Sequence, residues 1–209
     1  MTIELWLAFV AASTLLLIIP GPTILTVISY SLAQGRQANL PLVMAVTLGD
    51  STALFLSLMG LGAVLSASAF WFGIIKWIGG LYLLYLGVGL LRKGSVTLSS
   101  QTVNVTAGPR WKLFLNTYLV TALNPKGIIF FVAFLPQFVA PQADTTQQLW
   151  LLALTFLALS MLNATSYALF AGAARRLLRS SRAQRRFNLA GGSMLSVAGI
   201  WTLMAKKPT

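Results

Sequence analysis

Six mostly apolar runs, each near the length that crosses a bilayer, fill this chain almost end to end. They are roughly Leu5 to Ser29, Pro41 to Leu65, Phe70 to Leu91, Leu115 to Leu135, Leu149 to Gly172 and Leu189 to Met204. A spanning helix needs about 20 apolar residues, so 209 residues leave no room for a separate soluble domain. Composition agrees: 57% hydrophobic and 9% charged residues, with a mean hydropathy of +0.81, exceed what a water-exposed surface accommodates. The predicted fold is all-α and integral to the membrane, a single transmembrane domain over residues 1–209. Glu4 stands at the start of the first run in place of positive charge, and no small-x-small cleavage site follows, so that run is expected to be an uncleaved first helix.

The one long gap, Arg92 to Lys112, is rich in Ser, Thr, Gln and Asn and reads as a flexible linker between two three-helix halves. Repeat one is expected over about 1–93, a cytoplasmic linker over about 94–112, and repeat two over about 113–209. Net charge is +12, and its distribution speaks for orientation rather than for nucleic acid. With six spans, the first, third and fifth connections share one side and carry Arg36, then Arg92, Lys93, Arg110 and Lys112, then six arginines from Arg175 to Arg186. Lys76, Lys206 and Lys207 fall on the other side. The positive-inside rule places the basic connections in the cytoplasm and both termini outside; five spans would put the C-terminus inside. Arg175, Arg179, Arg182 and Arg186 fit one helical face resting on anionic headgroups, with a regulatory or substrate role as the other reading. No nucleic-acid partner is expected.

Two apolar runs are interrupted by helix breakers at matching places: Ile19-Pro20-Gly21-Pro22-Thr23 in the first and Leu123-Asn124-Pro125-Lys126-Gly127 in the fourth. Gly21 and Asn124 suit helix caps, and Pro22 and Pro125 suit the first helical position. Each motif is thus expected to start a half-helix inside the membrane, its positive dipole end facing an aqueous cavity where an amino acid's carboxylate can bind. A proline kink is the plainer reading of either break alone; the matched pair favours two inverted repeats around a transport site.

Charge inside the bilayer sharpens this expectation, since a charged side chain at a helix centre costs about 2.5–3.5 kcal/mol on insertion scales. Lys126 lies roughly 16 Å into the fourth run and Asp50 roughly 14 Å into the second, at 1.5 Å per residue. An Asp50–Lys126 pair, direct or water-bridged, that only joins the halves is the structural reading. The functional reading has Lys126 receiving a carboxylate, while Asp50 faces an ammonium or carries the coupling proton. Glu4 and Asp144 lie outside the runs, which leaves Asp50 as the proton candidate. Asn163, near Ser160 and Thr165, occupies roughly the place in the second half that Asp50 has in the first; it suits either substrate contact or a bond to another helix. Gly73, Gly80 and Gly87 at seven-residue intervals form a close-packing stripe. Trp71, Trp77, Trp111, Trp150 and Trp201 suit interfacial anchors, and Tyr82 and Tyr85 suit packing or a pathway. Small residues on helix faces are compatible with a homodimer.

Together these segments resemble the lysine exporter superfamily, especially its homoserine/threonine exporter (LysE/RhtB) branch. The likeness covers nearly the whole chain and rests on Ile19 to Thr23, Leu48 to Asp50 with Gly60 to Gly62, Gly79 to Gly87, and Leu123 to Gly127, in that order and spacing. It implies a bacterial inner-membrane secondary transporter, not an enzyme, that exports amino acids or related metabolites driven by the proton gradient. Carried over by position, Pro20, Gly21, Pro22, Asn124, Pro125 and Lys126 match the paired motifs and Asp50 a polar position of the second span. Thr23 stands where many relatives have Asn, and Asn163 stands in place of a carboxylate.

The expected substrate-binding set is Pro20, Gly21, Pro22, Thr23, Asp50, Asn124, Pro125, Lys126, Gly127 and Asn163, with Asp50 coupling the proton. No cofactor and no metal are expected, since zero Cys and zero His remove the soft ligands and the His-based dyads that an intramembrane enzyme would use. A cation or metal exporter of the same superfamily is the competing cargo reading, and a non-transport membrane protein the third.

Overall fold

The computed structural model describes the backbone of residues 1–67, 69–92, 109–140 and 144–204. All its elements are helical: α1 (Ile3–Ile18), α2 (Pro22–Gln34), a 3-10 turn (Gly35–Ala38), α3 (Asn39–Ala67), α4 (Ala69–Arg92), α5 (Arg110–Ala122), α6 (Pro125–Ile129), α7 (Thr145–Leu169), α8 (Ala171–Arg179) and α9 (Ser181–Met204). A π-helical turn (Phe130–Phe134) and a 3-10 turn (Leu135–Phe138) extend α6. The first and fourth apolar runs are each two helices, parted at Ile19–Gly21 and at Leu123–Asn124.

Local chemistry accounts for the breaks. Pro22 has no N–H to bond back into α1, and its ring forces the preceding Gly21 out of helical geometry, to φ −123° and ψ −172°. At the second break Asn124 leaves the helix at φ −69° and ψ 110°, and its Oδ1 accepts from the Lys126 N–H at 3.2 Å. The next helix therefore begins on a side-chain cap with proline at its first position. Gly35 ends α2 at φ +66°, a left-handed conformation that glycine adopts without strain, and so turns the chain into α3.

Among the described residues, three helical stretches are long and apolar enough to cross a membrane: Pro22–Gly60, Arg110–Phe138 and Thr145–Leu169. The first is 39 residues, about 58 Å of helix, nearly twice the hydrocarbon thickness, and the Gly35 turn divides it. Ile3–Ile18 and Trp77–Arg92 are shorter apolar helices. Large apolar side chains face outward on every long helix, among them Leu7, Leu40, Phe55, Ile78, Leu154 and Val197. So wide an apolar surface belongs in lipid.

The packing interleaves the two halves. α1 and α2 lie against α7; α3 lies against α5, α6 and α7; α4 pairs along its length with α9. Two glycines of the expected stripe, Gly80 and Gly87, lie in the last pair, while the surroundings of Gly73 are outside the described residues. A Cβ on Gly199 would meet the Gly80 carbonyl oxygen and the Leu84 nitrogen at 2.7 Å each, and one on Gly192 would meet the Gly87 carbonyl oxygen at 2.8 Å. Gly199→Val is therefore expected to push α9 off α4 and destabilise the protein by about 1–3 kcal/mol, read as a lower unfolding midpoint in detergent. Tyr85 is 73% exposed, its ring tilted against that of Tyr82 at 6.5 Å, and neither residue lines the cavity described below. Trp111 and Trp150 face outward, whereas Trp201 packs on Phe134 and Phe138.

Pro109 stands at the N-cap of α5, and Arg110 is already helical. Arg110 donates to Gln37 Oε1 at 2.6 Å, bringing the start of α5 to the turn after α2. The arginine segment is not one helical face: Ser180 leaves helical geometry at ψ 118°, splitting it into α8 and the start of α9. The linker stretch 93–108, the side chains of Trp71 and Lys76, and Lys206 and Lys207 lie outside the described residues.

Candidate functional site

The site begins with an accounting problem. A helix that stops leaves its last four carbonyls without intrahelical donors, and in an apolar surrounding each needs another partner. In α1 the Ile19 N–H still bonds the Leu15 carbonyl at 3.2 Å, so the orphans are the carbonyls of Leu16, Leu17, Ile18 and Ile19. The second half supplies a bond to all four, from three side chains. Lys126 Nζ donates to Leu16 at 2.5 Å and to Ile19 at 2.8 Å, Asn163 Nδ2 to Leu17 at 3.2 Å, and Tyr167 Oη to Ile18 at 2.8 Å.

The two breaks also touch directly. Asn124 Nδ2 donates to Thr23 Oγ1 at 3.3 Å, while its Oδ1 caps α6. A Cβ on Gly21 would lie 3.8 Å from Lys126 Cδ and 4.0 Å from Nζ, so the lysine stem runs past the glycine at van der Waals distance. Asp50, 8% exposed in the middle of α3, accepts a hydrogen bond from Ser160 Oγ of α7. One residue earlier, α3 packs closely on α5. A Cβ on Gly49 would meet Thr121 Cβ at 2.7 Å and the Tyr118 carbonyl oxygen at 3.0 Å. Both atoms belong to helical or buried neighbours with little freedom to yield, so Gly49→Val is expected to lower the unfolding midpoint and transport together, by the about 1–3 kcal/mol of an overpacked contact.

Between these groups is a cavity of about 40 Å³. Of the ten residues expected at the site, Gly21, Thr23, Asp50, Asn124, Lys126, Gly127 and Asn163 line it. Pro20, Pro22 and Pro125 do not; they make the breaks that present the others. Asp50 and Lys126 share the cavity, yet the bonded partner of the carboxylate is Ser160 and those of the ammonium are the two carbonyls. Asn163 makes the interhelical bond that was one of its two expected uses.

Two groups escaped sequence reasoning. Tyr167 sits four residues beyond Asn163 and so on the same helix face, a spacing that offered a signal. The carbonyls of Leu16 to Ile19 carry no residue-type signal at all. On the side of the cavity toward the start of α1, Phe156 stacks edge-on with Phe131 at 4.7 Å, and Phe9, Phe130, Phe134 and Phe138 continue the aromatic cluster.

The model of the LysE type translocators matches residues 14–206. The chain belongs to the LysE type translocator family. Among its relatives, a homoserine/homoserine lactone efflux protein of Salmonella typhimurium is 30% identical over 200 residues, covering 95% of this chain and 96% of that protein. A leucine efflux protein of Enterobacter sp. is 30% identical over 166 residues, 79% of this chain and 78% of that protein. An uncharacterized membrane protein of Vibrio cholerae is 30% identical over 206 residues, 99% of this chain and all of that one. No solved structure matches.

Proposed function

We propose that this LysE translocator is a secondary active exporter of amino acids or closely related metabolites, crossing the bacterial inner membrane six times as two inverted three-helix repeats and coupling export to protons by alternating access. The observation that carries the reading is the meeting of the two broken helices at one cavity lined by Asp50 and Lys126. Intramembrane charges are functional by default, and discontinuous helices at a repeat interface are where secondary transporters hold substrate.

Packing supports the repeat. Exchanging the halves turns the contact of α1 and α2 with α7 into that of α5 and α6 with α3, and leaves the α3–α7 and α4–α9 pairs in place. Length supports the crossings: α1, α2 and α5 have 16, 13 and 13 residues, each below the about 20 that a crossing needs. The broken runs therefore cross as two-piece helices.

The substrate's carboxylate is received by the N-terminal end of α2 at Gly21 and Thr23 and by Lys126, whose ammonium has three protons and gives two to α1. Its ammonium faces Asp50, while Asn124, Gly127 and Asn163 complete the walls. Protonation of Asp50 from the outer side weakens that hold and releases the cargo; loss of the proton inward resets the carrier. The cavity's 40 Å³ is far below the roughly 300–1,000 Å³ of ligand pockets, so this conformation is a contracted one. Opening outward parts the aromatic cluster, and the π-helical turn among those rings supplies an alternative register for the movement. On the cytoplasmic side, Arg176, Arg182 and Arg186 border a recess of about 810 Å³ that suits anionic lipid headgroups.

The names of the Salmonella and Enterobacter relatives direct the cargo test toward homoserine, its lactone and leucine. Counterflow into proteoliposomes, screened across neutral, basic and acidic amino acids, is expected to show saturable exchange for one or more neutral ones. Absence of exchange for every amino acid and lactone by folded protein, alongside metal-dependent flux, transfers the site to a cation exporter.

A further inference from the structure

The three donors that close α1 are not equivalent. Asn163 and Tyr167 each give one neutral hydrogen bond to one carbonyl, as interhelical polar residues commonly do. Lys126 alone reaches two carbonyl oxygens from one atom, its Nζ donating to Leu16 and Ile19 at 2.5 and 2.8 Å. That point is the negative end of the α1 dipole, in a low-dielectric surrounding. Half-helix C-terminal ends with turned-out carbonyls are where transporters with broken helices coordinate a free monovalent cation.

The other break does not repeat the arrangement. The motifs align Gly21-Pro22-Thr23 with Asn124-Pro125-Lys126, so the counterpart of Lys126 is Thr23, which carries no charge and accepts from Asn124. The cation therefore serves one half only.

We propose that Lys126 Nζ occupies a monovalent-cation site formed by the Leu16 and Ile19 carbonyl oxygens, as a tethered ion standing where other carriers bind a free one. Cutting the side chain back to Cβ leaves a site for ammonium, propylammonium, sodium or potassium. The site rests on the geometry alone; its consequence for coupling rests on the transporter reading above. That consequence is that the intact protein needs neither sodium nor potassium, and that the cargo's ammonium, barred from these carbonyls, is left to Asp50.

The test reads stability separately from transport. Purified Lys126→Ala and the unsubstituted protein are unfolded thermally in detergent at constant chloride, with N-methylglucamine replaced in turn by sodium, potassium, ammonium and propylammonium. The unsubstituted protein is expected to keep one midpoint throughout. Lys126→Ala starts lower and rises saturably, by several degrees, with at least one of the small cations, propylammonium restoring the atoms removed. No rise with any of them, or an equal rise in the unsubstituted protein, overturns the site.

If Lys126→Ala does not fold, the absence of cysteine from the chain makes Lys126→Cys a single target in the membrane. Alkylation with 2-bromoethylamine, which rebuilds an ammonium at lysine's length, is expected to restore the midpoint, and the neutral adduct of iodoacetamide is not; equal restoration by both overturns the requirement for charge. Export by the unsubstituted protein in media free of sodium and potassium is expected at full rate, and loss of export there overturns the tethered ion. None of these readings depends on whether Asp50 carries the proton.

Discussion

Asp50→Asn is expected to reduce proton-driven transport in inverted vesicles to background while leaving the protein folded. Asparagine keeps the shape of the side chain, and its carbonyl oxygen can still accept from Ser160 Oγ, the bonded partner of Asp50. What it lacks is an exchangeable acid. Of the three carboxylates in the chain, Glu4 and Asp144 sit at the helix ends of α1 and α7, so no second acid in the cavity can take over. Counterflow requires no net proton movement; it is expected to survive in this variant with a raised half-saturation, since an amide holds the cargo's ammonium less well than a carboxylate. The separation of the two assays is the informative result. Coupled transport of normal size in Asp50→Asn rejects Asp50 as the proton carrier, whatever counterflow shows.

Lys126→Met is the second large effect, and its origin lies in the backbone. The apolar stem is retained in volume, but the Leu16 and Ile19 carbonyls lose their donor. Hydrogen bonds to charged groups contribute about 1.5–3 kcal/mol each, and a buried acceptor left unpaired is itself costly. Against this stands the about 2.5–3.5 kcal/mol that a lysine costs inside the bilayer. That cost is present whether or not the helices are packed, as long as the chain stays in the membrane, so it largely cancels in the stability of the bundle.

The net expectation for Lys126→Met is a loss of about 2–4 kcal/mol, with a several-fold higher half-saturation for carboxylated cargo. Asn163→Ala and Tyr167→Phe each remove one neutral bond and are expected to cost about 0.6–1.7 kcal/mol, the range measured for interhelical bonds in membranes. Unfolding midpoints should therefore rank Tyr167→Phe and Asn163→Ala above Lys126→Met. An unchanged midpoint in Lys126→Met would remove the lysine from the closure of α1.

Much of this architecture can be read from residue order, because apolar runs and helix breakers are local signals. Pro22 and Pro125 forbid the bonds that would continue a helix, so both interruptions are visible without coordinates. Asp50 and Lys126 are conspicuous because charge is rare in such runs, and both line the same cavity. What the carboxylate and ammonium bind is not legible. The partners of Lys126 are peptide carbonyls, which every residue possesses, and the partner of Asp50 is a serine like many others. Three-dimensional proximity chose them. The arginine segment misleads for a related reason: a helical wheel over Arg175 to Arg186 assumes continuity, and Ser180 breaks it. Cavity size is equally hidden, since it depends on how closely the helices pack in three dimensions.

On this mechanism the buried chamber between the breaks opens in turn to each side of the membrane. Ile24 lines that chamber and is 6% exposed, and the chain has no cysteine of its own. In Ile24→Cys, a membrane-impermeant thiol reagent applied to right-side-out and to inverted vesicles is expected to label the residue from both sides. Transported cargo is expected to slow both reactions. Labelling from neither side, or from one side only and unaffected by cargo, in vesicles where the variant still transports, contradicts it.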